Sequence, residues 1–279
     1  MAFNFTLVAV ASALLGSVAS ILARTLLKDL KSKDILGINF LTMGATLLII
    51  SPFFYNFQPS LIAFLLLILV AFIDTLANYF FFKTFEQTEA SVATPILSLA
   101  PVFTFAFGWV FLGDTVKLST YILSFLILAG IVAFSADFKN FSRFRAQTLQ
   151  PAILSSLLFG ISAIPSKYLL STLHVINAPT LYMFRAGLIA LFALLFFNFP
   201  LRSIEARQYR LIFFRGLFVI SQWVLLYFAL SHGNAGVTVT LANITPIFVF
   251  VLSTLFLGEK PTMKKVLASV LVLVLSLII

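Results

Sequence analysis

The chain has 279 residues, of which 61% are hydrophobic and 10% charged, and its mean hydropathy is +1.12. A soluble domain of this length needs far more charge on its surface, so the composition excludes one and requires a lipid-facing exterior. The net charge of +9 does not indicate nucleic acid, because the basic residues sit in short clusters between apolar runs, where anionic lipid headgroups meet them.

A membrane-spanning helix needs about 20 mainly apolar residues. Ten segments meet that condition: 3–23, 35–54, 61–83, 90–112, 118–136, 149–171, 177–198, 209–231, 235–257 and 263–279. The first has no basic stretch before its apolar run and leads directly into further spans, so it reads as a helix rather than a cleaved signal. Pro59 precedes the third segment, Pro151 opens the sixth, Pro200 closes the seventh and Pro261 separates the last two, each at a boundary where a helix breaker belongs. Continuous apolar runs, rather than short alternating ones, exclude a β-barrel. The 34 phenylalanines suit lipid contact and helix packing.

The polar stretch Asp137–Gln150 divides the chain almost in half, and the halves resemble each other. At an offset of 145 residues, Pro101-Val102-Phe103 aligns with Pro246-Ile247-Phe248, and Phe111-Leu112-Gly113-Asp114 with Phe256-Leu257-Gly258-Glu259. Ala90 and Val92 match Ala235 and Val237, and Leu15-Gly16 resembles Phe159-Gly160. The expected architecture is therefore all-α and polytopic: ten transmembrane helices as two five-helix repeats, 1–144 and 145–279. Because five is odd, the second repeat lies inverted relative to the first, and a substrate site is expected near the midplane where they meet. Fourteen lysines and arginines fall at the odd-numbered connections, whereas the even-numbered ones and the termini hold only Lys117. Basic loops stay on the cytoplasmic side, so both termini are expected on the opposite side.

The two five-helix halves, the prolines of the fourth and ninth helices and the doubled Phe-Leu-Gly-acid turns resemble the EamA-type drug/metabolite transporters. Arg185 early in the seventh helix and Tyr227-Phe228-Ala229-Leu230 ending the eighth extend the resemblance over nearly the whole chain. It implies a ten-helix bundle with a central cavity that moves amino acids, nucleotide-linked sugars or similar metabolites by alternating access. Two features depart from the family pattern. The first repeat has Leu41 near the equivalent of Arg185, where an arginine is often found, and family members commonly have cytoplasmic termini.

Charged groups inside spans are costly and mark function by default. Asp74, at the middle of the third helix, either binds a substrate amine or carries a coupling proton; the alternative is a structural partner to a buried cation. Asn78 is one turn on and shares its face. Arg185 either pairs with Asp74 or binds a substrate carboxylate or phosphate. Lys167, near the end of the sixth helix, is a further candidate, although its stem is long enough to snorkel to the interface. Arg24 and Arg215 lie close to basic loops and read as interfacial anchors.

Ser91, Thr94, Ser98 and Pro101 share one helical stripe, matched in the ninth helix by Val239, Asn243 and Pro246. A proline in a span frees a carbonyl, so these stripes are expected to line the cavity, with Pro101 and Pro246 as hinges. Tyr182 and Trp223 are candidates to stack on substrate. Asp114 and Glu259 read as loop caps.

With no cysteine and two histidines outside any ligand spacing, neither a metal site nor a cofactor is expected. An intramembrane enzyme would need clustered ligands or a nucleophile–base pair, and a channel would need rings of like charge; the spans hold neither. No phosphate-binding Gly-Lys-Ser/Thr loop is present, so the expected energy source is an ion gradient or solute exchange. The expected function is secondary transport of a small polar or amphipathic metabolite, with export of amino acids favoured over exchange of phosphorylated or nucleotide-linked solutes. The expected setting is the lipid bilayer of a bacterial inner membrane.

Overall fold

A computed structural model of the chain describes residues 5–87, 97–135, 146–197 and 204–257, together with single helical positions between 263 and 278. The helices are α1 (Phe5–Leu26), α2 (Ser32–Ile50), α3 (Leu61–Gln87), α4 (Ala100–Leu112), α5 (Leu118–Ser135), α6 (Ala146–Lys167), α7 (Ala178–Phe197), α8 (Ala206–His232), α9 (Ala235–Ala242) and α10 (Thr245–Leu257). Seven helical stretches, including the combined Ala235–Leu252, are long and apolar enough to cross a membrane, and Ala100–Leu112 and Leu118–Gly130 are shorter apolar helices. Most of the predicted tenth segment lies outside the described residues, as do Ser91, Thr94 and Glu259.

The residue distribution is that of a lipid-embedded bundle. Large apolar side chains such as Leu48, Ile49, Leu61, Phe111, Leu195 and Phe214 point outward, while Ala9, Ala13, Ala19 and Ala23 of α1 and Ala186, Ala190 and Ala193 of α7 are buried. Lipid tails are as apolar as leucine, so little is gained by hiding leucine from them. Small residues instead let helices approach and gain dispersion contact. At the α2–α7 crossing, a Cβ on Gly44 would stand 3.3 Å from the backbone of Gly187, so the two backbones are almost in direct contact.

The packing repeats when the two halves are exchanged. Helix α1 packs on α8 as α6 packs on α3; α2 packs on α8 as α7 packs on α3; α4 packs on α6 as α9 and α10 pack on α1. The pair α2–α7 joins equivalent helices of the two halves, and α4–α9 joins the fourth predicted span to the ninth. This is the contact pattern of a two-fold relation between repeats.

The helix breaks repeat as well. The fourth and ninth predicted spans are each interrupted by a two-residue turn, at Ser98-Leu99 and at Asn243-Ile244, and helix resumes just before the proline. Pro246 has no N–H to offer the carbonyl of Ala242, and Thr245 Oγ1 donates to that oxygen instead at 3.0 Å. The same hydroxyl lies 3.2 Å from the carbonyl of Ala13 on α1. A freed carbonyl is thus satisfied inside the bundle, as apolar surroundings require.

The even-numbered connections meet at one face. Asn177 Nδ2 donates to the carbonyl of Phe54 at 2.7 Å, and the amide of Asn56 donates to Thr180 Oγ1 at 3.0 Å, joining the α2–α3 and α6–α7 connections. At the opposite end, Glu86 of α3 accepts from the amide and hydroxyl of Ser32 at the start of α2. Gly113 closes α4 with φ at 63°, a left-handed conformation that favours glycine, and so aims Asp114 back over the helix end.

Candidate functional site

Between the two halves lies a cavity of about 150 Å³, walled by residues from both. Asn39, Asn78 and Ser98 line it from the first half, and Arg215, Gln222, Trp223 and Asn243 from the second. Much of the remaining lining is apolar or aromatic, including Phe81, Phe85, Phe159, Val219 and Leu226. A few polar groups set in an apolar wall are the usual composition of a small-molecule site.

Six predicted residues therefore meet at the cavity: Asn78, Ser98, Trp223, Val239, Asn243 and Pro246. Asn78 and Asn243 are braced in the same way, each donating from Nδ2 at 2.8 Å to the carbonyl four residues earlier in its own helix, Asp74 and Val239 respectively. Asp74, Lys167, Tyr182, Arg185 and Pro101 lie outside the lining.

Asp74 and Arg185 do meet, as an ion pair between α3 and α7 in which both side chains are fully buried. The guanidinium carbon lies 3.7 Å from the ring centre of Trp223, 5.5 Å from Tyr182 and 5.7 Å from Tyr227. Trp223 lies parallel to Tyr182 with ring centres 6.3 Å apart, and Tyr182 Oη donates to Met43 Sδ at 3.5 Å. Trp223 and Tyr227 belong to the cavity wall, so the ion pair stands behind that wall and holds its rings through cation–π contact.

Lys167 has another partner. Its Nζ lies 2.6 Å from Asp114 Oδ2, and the same oxygen accepts the amide of Ala235 at 3.1 Å. Asp114 is thus the loop cap expected of it, and it also ties α6 and the start of α9 to the end of α4.

The interfacial reading of Arg215 is corrected. Its side chain is 5% exposed and lines the cavity, and its Nη1 donates to Asn39 Oδ1 at 2.7 Å. The Phe82 ring centre lies 5.0 Å from its guanidinium carbon, and Nε has no hydrogen-bond partner among the described residues. No carboxylate among the described residues lies within salt-bridge distance of it. The predicted segment begins at 209, near the arginine, whereas helix α8 begins at Ala206, so Arg215 lies nine residues beyond its first residue and Arg185 seven beyond the first residue of α7. Asn39, buried beside it, had no motif to mark it.

Two helical repeats, exchanged in their packing and enclosing a cavity beneath an apolar exterior, define a polytopic membrane protein built for a small-molecule ligand. The EamA-like transporter family matches the chain twice, over residues 5–136 and 149–279. The chain belongs to that family, and is a membrane transporter of the drug/metabolite transporter superfamily. A solved structure titled only "Crystal structure of protein" shares the fold with a TM-score of 0.77 at 14% identity, covering 98% of this chain and 94% of that one. Among curated proteins no match is found.

Proposed function

We propose that the protein is a secondary transporter that exports a small polar or amphipathic metabolite, such as an amino acid, by alternating access. The observation that carries this reading is the cavity itself, which both repeats line, the first with Asn39 and Asn78 and the second with Asn243, and to which each half supplies one helix break. Rocking of one repeat against the other around such a site exposes it to each side in turn. Pro101 and Pro246, opening helices after paired two-residue breaks, are the natural hinges for that movement. The size of the cavity favours a single small metabolite. About 150 Å³ is well below the range for drug-sized ligands, roughly 300–1,000 Å³, and a nucleotide-linked solute is larger than many of those.

In this reading Asn78, Ser98, Trp223 and Asn243 contact substrate. Asp74 and Arg185 position the aromatic wall, and a coupling proton on Asp74 would loosen their pair and free Trp223 to move. The chain completes ten spans as two inverted repeats dividing at residue 144, in a bacterial inner membrane with both termini outside the cytoplasm. Cysteine accessibility at position 2 and at Lys139 in intact cells tests the orientation.

Solute flux in proteoliposomes tests the transport reading, using a panel of amino acids with and without an imposed proton gradient. Wild type is expected to carry at least one of them, and Ser98→Phe, which fills the cavity, to fold but carry none. Equal flux in the two proteins would overturn the cavity as the transport path. Acceleration by the gradient that is lost in the charge-balanced Asp74→Asn/Arg185→Gln variant supports proton coupling. Gradient-independent flux that requires internal counter-solute would replace export by exchange.

A further inference from the structure

The most unusual group in the bundle is Arg215. It lies deep in a span and nine-tenths or more buried, and its one described hydrogen-bond partner, Asn39, is neutral. A cation in that setting is expensive unless an anion accompanies it. Arg185 shows how this protein meets the requirement elsewhere, with Asp74 against it. For Arg215 the described residues supply no such anion, and the side chain borders the cavity.

We propose that Arg215 and Asn39 form the anion subsite of the cavity and that the transported substrate carries a single carboxylate, held against the guanidinium, on an apolar body. This rests on the transport reading above and narrows it. Asn39 fixes one nitrogen of the guanidinium fork, so the group is oriented before ligand arrives. The face of Phe82 supports it from the protein side. Val219, one helical turn along α8, borders the same cavity, with Phe81, Phe85, Phe159 and Leu226 as further apolar lining for the substrate body. The described lining includes no Asp or Glu, so no fixed charge there selects for an amine. One arginine in a cavity of this size matches one negative charge, and a phosphate dianion would be left half compensated.

The test uses three molecules with the same branched apolar body: leucine, 4-methylpentanoate, which lacks the amine, and 3-methylbutylamine, which lacks the carboxylate. The protein has two tryptophans, of which Trp109 is 63% exposed on the outer surface and Trp223 lines the cavity. In purified Trp109→Phe protein, the emission of Trp223 reports occupancy directly. Both carboxylates are expected to change that emission saturably, and the amine is not. Arg215→Gln is expected to weaken carboxylate binding by about tenfold or more.

Because removing a buried arginine risks misfolding, Asn39→Asp is the second variant. It places an internal carboxylate on the guanidinium, so the protein should unfold no more readily than wild type while losing carboxylate binding. A purely structural Arg215 would instead leave binding intact in Asn39→Asp. The proposal is overturned if the amine binds as well as the carboxylates, if neither carboxylate binds, or if Asn39→Asp binds them like wild type. Proteoliposome flux of the amine alone would overturn the subsite and leave the transport reading standing. Carboxylate binding without flux of any solute would do the reverse.

Discussion

Two interfaces in this bundle are counterparts under exchange of the halves, yet they treat a buried arginine in opposite ways. Between α3 and α7, Arg185 meets a carboxylate, Asp74, and three aromatic rings surround the guanidinium. Between α2 and α8, Arg215 meets an amide, Asn39, and faces the cavity. The first pair is electrically closed and sits behind the wall; the second is electrically open and sits in it. A symmetric scaffold has thus been made asymmetric: Leu41 stands near the equivalent of Arg185, and the second arginine lies instead on the other helix of its pair, α8, opposite an amide rather than a carboxylate. That difference separates a group that holds the wall from one that awaits a ligand.

The largest expected effect comes from opening the closed pair. Asp74→Asn leaves Arg185 uncompensated among buried groups, and breaking one side of a buried ion pair costs about 3–5 kcal/mol. Thermal unfolding in detergent should show it as a marked fall in midpoint. The double variant Asp74→Leu/Arg185→Met removes both charges and should recover most of that loss, since apolar replacement of a buried pair is often neutral. If the double variant were as unstable as the single, the pair would matter through packing on Trp223 rather than through charge.

A smaller effect is expected at the open pair. Arg215→Met removes a cation that no described carboxylate balances, and leaves the Asn39 acceptor without its donor. An unsatisfied buried acceptor costs about 1–3 kcal/mol, and relief of the uncompensated charge offsets part of it. The unfolding midpoint should therefore move much less than in Asp74→Asn. A loss as large as that of Asp74→Asn would mean that Arg215 has a structural anion, and the contrast between the two interfaces would fail.

How much of this was legible in the sequence follows from what each feature depends on. The repeats and the helix breaks were readable, because Pro101 and Pro246 act through their own missing N–H and Gly113 through its own backbone freedom. The meeting of Asp74 and Arg185 was readable as one of two alternatives, since intramembrane charges of opposite sign seek each other. What was not readable was the side of the wall on which each group falls. That depends on the rotation of α3 and α7 about their axes, which is set by small-residue contacts such as Gly44 against Gly187. Arg215 was misplaced because the basic residues Arg207 and Arg210 precede it, so that it seemed to belong to their interface. The actual start of α8, at Ala206 rather than 209, puts it nine residues into the helix, deeper than either of them.

The third pair, Lys167 with Asp114, offers the gentlest test, because it differs from both others in depth. Its side chains are 12% and 20% exposed, so water screens the charges and each retains some hydration when parted. Lys167→Met should therefore cost more than the roughly 0.2–1 kcal/mol of an exposed pair and less than the roughly 3–5 kcal/mol of a fully buried one. Asp114→Ala should cost more, because the same carboxylate also accepts the amide of Ala235 at the start of α9, and a buried donor left without its acceptor costs about 1–3 kcal/mol. The order of the two variants is the informative result. If Lys167→Met proved the more damaging, the lysine would be compensating a buried charge after all, and the contrast between a rim pair and the Asp74–Arg185 pair would be one of degree. If Asp114→Ala is the more damaging, the acid of the first Phe-Leu-Gly-acid turn acts through the backbone amide of Ala235 as well as through the lysine.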